Sequence, residues 1–331
     1  MNFYDVKSMQ VLLMLIAAFL AQSAHAADCV KYPSPITTLT EVKPGLFAVM
    51  GKPADFDACN ASVEFKTPNA DKPSPLVIIS HGGSGAGPAE KNIATEFRKL
   101  GFATLLFDAY KMNGHTQDWK FWATQVTNES RQRLNYQATL GAYQWALAQD
   151  KVDNRNIYLH GVSNGANVVV NMAGEVDPAH VKGVFAEGTM MSGIGVPDKL
   201  NVPVRLIFGK LDNYGGRQPD EWRWLLKEEC ALNGKTDNFS QPQGSAQRCS
   251  LDHNPQALTQ SPQEWFQERK QAGDDIDIWW YEDAAHGMFS GPLLRQTRTW
   301  GANNMRYAWI GASAAAREKF LIDFRQFTGI K

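Results

Sequence analysis

The stretch NIYLHGVSNGANVVVNMA, residues 156–173, runs a strand-like apolar segment straight into a helix-like one, with Ser163 between Gly161 and Gly165. A chain that turns from strand to helix in so few residues strains the backbone at the bend, and bulky neighbours there would collide with the adjoining strand and helix. Glycine at 161 and 165, followed by Ala166, removes that crowding. A bare G-x-S-x-G pattern also arises by chance, and a plain connecting turn would use similar residues. Its setting between strand and helix makes it a constraint on the fold, because a turn of this kind presents the serine hydroxyl at the edge of a sheet.

The rest of the chain supplies such a sheet. PLVIIS (75–80), FATLLFD (102–108), NIYLHG (156–161), VKGVFAEG (181–188), VPVRLIFG (202–209) and DIDIWWYE (275–282) read as nearly continuous apolar strands. Helices are expected from Pro88 to about Leu100, from Glu129 to Gln149, after Ser163, and over 313–327; Tyr136, Leu140, Tyr143 and Leu147 share one face of the second. Strands buried on both faces and alternating with helices make an α/β protein with a mostly parallel sheet covered on both sides. Three early β-rich runs, ITTLTEV, GLFAVMG and ASVEFKTP, are expected to form an antiparallel start. The polar stretch 213–273, which carries Trp222, Trp224 and Trp265, interrupts the rhythm and reads as an insertion before the last strand, a lid over a single domain.

Lys7, the apolar run from Val11 to Ala21 and the ending Ala24-His25-Ala26 have the layout of a secretory signal peptide, with cleavage expected after Ala26 and one domain over 27–331. The run is short for a membrane span, so the mature chain is expected to be periplasmic or secreted, with no membrane contact. Four cysteines after an export signal imply two disulfides, and nearest-neighbour pairing gives Cys29–Cys59 and Cys230–Cys249. No two cysteines have metal-ligand spacing, so no metal is expected. The formal net charge is −1, without a basic stripe, which speaks against a nucleic-acid partner.

A serine hydroxyl is a weak nucleophile near neutral pH and needs a base, an orienting acid and donors for a developing oxyanion. Asp212 follows the strand in RLIFGKLD, and His286 follows the last strand in IDIWWYEDAAHGM. Both therefore fall where strand carboxyl ends gather, in the order serine, acid, histidine. Asp283, Asp108 and Glu187 are rival acids, and His160 reads as a packed strand histidine. The loop SHGGSGAG (80–87) follows the first buried strand, so the amide of Gly83 or Ser84 could join that of Asn164 around an oxyanion. It has neither G-x-G-x-x-G nor the lysine-bearing phosphate-loop pattern.

With HGGSG, FDAY, GVSNG, GKLD and AAHGM in this order, the chain resembles the α/β-hydrolase superfamily, and within it the dienelactone hydrolase-like branch, over about 75–212 and 275–327. That resemblance implies an α/β-hydrolase fold and cleavage of an ester or lactone. Two departures stand out. Dienelactone hydrolases proper use a cysteine where this chain has Ser163, and a glutamate follows their oxyanion-loop strand where this chain has SHGGSG. Both speak against dienelactone itself as the substrate. The expected activity is a cofactor-independent serine hydrolase acting on a small-molecule ester or lactone. A serine peptidase, an esterase for polymeric substrates and a non-catalytic binding protein on the same fold are the alternatives.

Overall fold

Residue by residue, the central strands bury alternate side chains on opposite faces. In the strand Ser74–Ser80, Leu76 and Ile78 join one core cluster while Val77 and Ile79 join another. The same alternation puts Ile157 and Leu159 on one side and Tyr158 on the other. A period of two with apolar groups at both phases requires cover on both faces. The computed structural model describes residues 36–68, 71–189, 194, 196–214, 262–299 and 305–330. The expected signal segment, Cys29, Cys230, Cys249, Trp222 and Trp224 lie outside them.

Strands β1 (Ile36–Lys43) and β2 (Leu46–Lys52) pair with each other as an antiparallel hairpin. The main sheet contains β3 (Val63–Lys66), β4 (Ser74–Ser80), β5 (Ala103–Phe107), β6 (Val152–Val162), β7 (Val181–Glu187), β8 (Val204–Gly209) and β9 (Ile276–Tyr281). Its order is β3-β5-β4-β6-β7-β8-β9, parallel throughout except for β3 against β5. The third early run thus leaves the other two and edges the main sheet. A second antiparallel pair, β10 (Leu294–Thr299) with β11 (Met305–Ile310), was not expected, its first strand LRQTRT being polar.

One face is covered by α4 (Asn128–Leu147), α5 (Asn164–Met172) and α6 (Pro262–Gln271), the other by α1 (Pro88–Lys99) and α7 (Ala314–Thr328). Two short helices, α2 (Ala109–Met112) and α3 (Trp119–Gln125), follow β5. Helix α1 starts with Pro88 at its first position and ends before Gly101, whose φ is 91°. Thr127 and Ser313 cap α4 and α7 through their hydroxyls. Helix α4 buries Leu134, Ala138, Ala142 and Ala146, while Tyr136, Leu140 and Leu147 are half-buried. Of the expected stripe, Tyr143 is buried in the core, and the other three flank a contact face that also includes Leu134 and three alanines.

The last part of the 213–273 stretch is core. Helix α6 precedes the parallel strand β9, Trp265 is buried, and its Nε1 donates to the Pro197 carbonyl at 2.9 Å. Two parallel neighbours need a crossover, and α6 lies in the one joining β8 to β9. No described helix is long and apolar enough to cross a membrane.

The glycines around Ser163 are fixed by close backbone approach. A methyl group at Gly161 would stand 2.2 Å from the Gly165 carbonyl oxygen, and one at Gly165 would stand 2.2 Å from that of Ser80. Gly161→Ala is therefore expected to destabilise the protein by about 1–3 kcal/mol or more, because the obstacle is backbone. Urea unfolding would show it as a lower midpoint; an unchanged midpoint would mean that the elbow relaxes freely.

Candidate active site

Ser163 is the one non-glycine residue with positive φ among the described residues, at φ 54° and ψ −110°. It caps the N-terminus of α5, and its amide donates to the Glu187 carbonyl at 2.7 Å. Such a conformation costs about 1–3 kcal/mol and persists only where the surroundings impose it. Here β6, β7 and the glycine contacts do so.

Asp212 stands just past β8. Its Oδ1 accepts from the Tyr214 amide at 2.9 Å, and its Oδ2 is 3.0 Å from His286 Nδ1. Asp212 is 1% exposed and His286 is 8% exposed. A carboxylate only accepts, so Nδ1 carries the proton in this pair and Nε2 keeps its lone pair. Tyr214 stacks on the imidazole at 4.2 Å between ring centroids and 12° between planes. Gly188, with φ 65°, backs the pair: a methyl group there would meet His286 Nδ1 at 3.0 Å. The ring is thus held on one edge and one face.

Ser163, Asn164, Gly83, Ser84 and His286 line one cavity of about 820 Å³. No hydrogen bond joins the Ser163 hydroxyl to the His286 ring among the described residues. None of the rival acids bonds to the His286 ring among the described residues. Asp108 caps α2, Asp283 is exposed, and Glu187 binds the Met288 amide rather than the imidazole.

Several residues that hold this site escaped the sequence reading. Glu90 Oε1 accepts from the Gly82 amide and Oε2 from the Gly87 amide, each at 2.9 Å. With Gly82 engaged, the amides of Gly83 and Ser84 come next along the loop. Ala109 donates its amide to His81 Nε2 at 3.0 Å, so His81 Nδ1 donates to the Gly82 carbonyl at 2.7 Å. The Asn135 amide group donates to the His81 carbonyl at 2.7 Å. Arg131, buried, donates to the carbonyls of Trp122 and Ala123, and its pKa is lowered by burial. Asn164 Nδ2 donates to Asn128 Oδ1. Only Glu90 carried a sequence signal: it stands three residues after Gly87, where a carboxylate closes a helix N-terminus. Among the described residues, no group of three or more His, Cys, Asp or Glu side chains is placed to hold a metal ion.

A profile of the dienelactone hydrolase family matches residues 62–234, just over half of the chain. The chain belongs to the dienelactone hydrolase family. This is a family of hydrolases, and the sheet order, elbow and flanking helices are those of an α/β-hydrolase fold. Among solved structures, a candidate dienelactone hydrolase from Klebsiella pneumoniae is similar at TM-score 0.50 and 13% identity, over 90% of this chain and 100% of that one. At that identity the likeness is one of fold. A dienelactone hydrolase-like promiscuous phosphotriesterase from metagenomic libraries has TM-score 0.45 and 13% identity, over 90% of this chain and 99% of its own. Esterase 2 of Thermogutta terrifontis has 0.44 and 15%, over 81% of this chain and 94% of its own. No curated protein matches the sequence.

Below the elbow of this dienelactone hydrolase family member lies a second buried polar pair. His160 Nε2 is 3.6 Å from Glu187 Oε2, and the rings of Phe97 and Phe320 pack on the imidazole. Burial lowers the His160 pKa to about 3 and raises that of Glu187 to about 7. Each effect favours the neutral form. Unfolded His160 takes up a proton below about pH 6.5, and folded His160 does so only near 3, so its contribution to stability is lost as pH falls between them. Glu187 acts oppositely: between about 4.5 and 7 the folded state keeps a proton that the unfolded state has released, and stability falls as pH rises. The two oppose each other until Glu187 drops out near pH 4.5. Below it, His160 is expected to contribute a loss of about 1.4 kcal/mol per pH unit. Urea midpoints from pH 3 to 8 should show His160→Leu without that loss; superimposable curves would place the acid sensitivity elsewhere.

Proposed function

We propose that this protein is a serine hydrolase that cleaves carboxylic esters or lactones through an acyl-enzyme. The observation that carries this reading is one arrangement: a serine at positive φ heads a helix and shares a cavity with an imidazole whose Nδ1 is bonded to a buried carboxylate. Nε2 of His286 takes the proton as Ser163 Oγ attacks the carbonyl carbon. Asp212 holds the tautomer and stabilises the imidazolium. The amide of Asn164, with that of Gly83 or Ser84, receives the oxyanion at the helix N-terminus. The alcohol leaves with the proton from His286, and water activated by the same ring then releases the acid. A cavity of about 820 Å³ is of the size that encloses a small molecule.

Export belongs to the same reading. The signal-like N-terminus supports it, and Cys59 is disulfide-bonded, as in an oxidising periplasmic or extracellular compartment. The pairs Cys29–Cys59 and Cys230–Cys249 would then close in the mature protein. Intact mass of exported protein should start at Ala27, with no thiol reacting before reduction; a chain retaining Met1 or carrying free thiols contradicts export.

Ser163→Ala should abolish fluorophosphonate labelling and almost all hydrolysis of p-nitrophenyl esters. Asp212→Asn should lower kcat by about 10⁴-fold, because the imidazole then settles in the wrong tautomer. Undiminished turnover in the serine variant would remove Ser163 from the chemistry, and a fast Asp212→Asn enzyme would assign the acid elsewhere.

A further inference from the structure

We infer that Glu187 is a positioning residue that fixes the histidine loop against the nucleophile elbow; this rests on the serine-hydrolase reading above. It stands at the carboxyl end of β7, beside the elbow strand β6 and the Asp212 strand β8. Its main chain and side chain reach in different directions. The carbonyl accepts from the Ser163 amide at 2.7 Å, and carboxylate Oε1 accepts from the Met288 amide, two residues beyond His286. The next residue, Gly188, donates its amide to the Ile207 carbonyl at 2.9 Å and backs the His286–Asp212 pair. Two consecutive residues therefore touch the segments bearing all three proposed triad members.

The Met288 amide needs a partner from outside its own segment. Met288 opens a short 3-10 turn, Met288–Ser290, and the residue before it is Gly287, which has no capping side chain. The first amides of any helical turn lack a partner within the turn. Met288 itself is buried against the face covered by α1 and α7, away from water. The Glu187 carboxyl group, 3% exposed, fills that need from the neighbouring strand. Its other oxygen faces His160, and Glu90, Asp212 and His286 are the remaining charged or titratable groups around it. An acceptor placed here sets how far the His286 loop stands from Ser163.

The bond needs an acceptor of this length, and glutamine supplies one. In the full chain, Glu187→Ala is expected to lower kcat per labelled active site by about 100-fold, the scale of a 1 Å misplacement, with KM within about threefold of the parent. Glu187→Gln should restore kcat to within about fivefold of the parent, its amide oxygen taking the Met288 bond. Met288→Pro deletes the donor, keeps Glu187, and should reproduce the alanine effect; it reads the same bond if the alanine variant does not fold. Active sites are counted by fluorophosphonate so that unfolded protein does not enter kcat. Unchanged kcat per site in the alanine or proline variant overturns the role of Glu187, and so does a glutamine variant as slow as alanine. A parent that neither labels at Ser163 nor turns over esters instead defeats the serine-hydrolase reading.

Discussion

The backbone at Ser163 carries φ 54°, a conformation that a serine keeps only under compulsion. Compulsion comes from two backbone contacts that leave no space for a side chain, Gly161 against Gly165 and Gly165 against Ser80. These bind three segments together: the elbow strand, the helix after it and the end of β4. The remaining parts of the site attach to the same three or to their neighbours. The glycine loop continues from β4, the Glu187 carbonyl takes the Ser163 amide from β7, and Asp212 leaves the sheet one strand further on. A relaxed elbow would separate the parts that the cavity brings together.

That dependence explains what the sequence made readable. Nearly continuous apolar strands announce a sheet covered on both sides, and a parallel sheet gathers its loops at one edge. Ser163, Asp212 and His286 each follow a recognisable strand, so their position at that edge was legible without knowing any contact. Residues that hold them were not. Asn135 and Arg131 resemble ordinary helix residues, and Glu187 and His81 a rival acid and a loop residue, until long-range packing supplies their partners. Helix α4 was read only in part for a related reason: beside Leu134 and Tyr143 its contact face is built from alanines, which carry a weak hydrophobic signal, while Tyr136, Leu140 and Leu147 lie at its flanks. Helix α6 hid in a polar stretch because Trp265 is the large anchor that it sends into the core.

Polar groups are concentrated beneath the elbow, and the fold handles them in two ways. Asp212 and Glu90 receive two hydrogen bonds each, so their oxygens are matched by donors. His160 and Glu187 are instead driven toward neutrality by burial. Satisfying some groups and discharging others avoids an unpaired buried charge, the costliest arrangement available there.

Glu90 also decides where this enzyme can change. By holding Gly82 and Gly87 at once, it welds the glycine loop to the first turn of α1. That side of the cavity cannot widen or narrow without dismantling the clamp. The cavity lining also includes Gln117, Asp118 and Trp119, whose ring is exposed. Asp118 caps α3 through its carboxylate, whereas Gln117 and Trp119 are exposed. The clamped loop is rigid while, among the described residues, Gln117 and Trp119 bond to none of the proposed catalytic groups, so new substrates would be acquired by rewriting those two lining positions while the machinery stays intact.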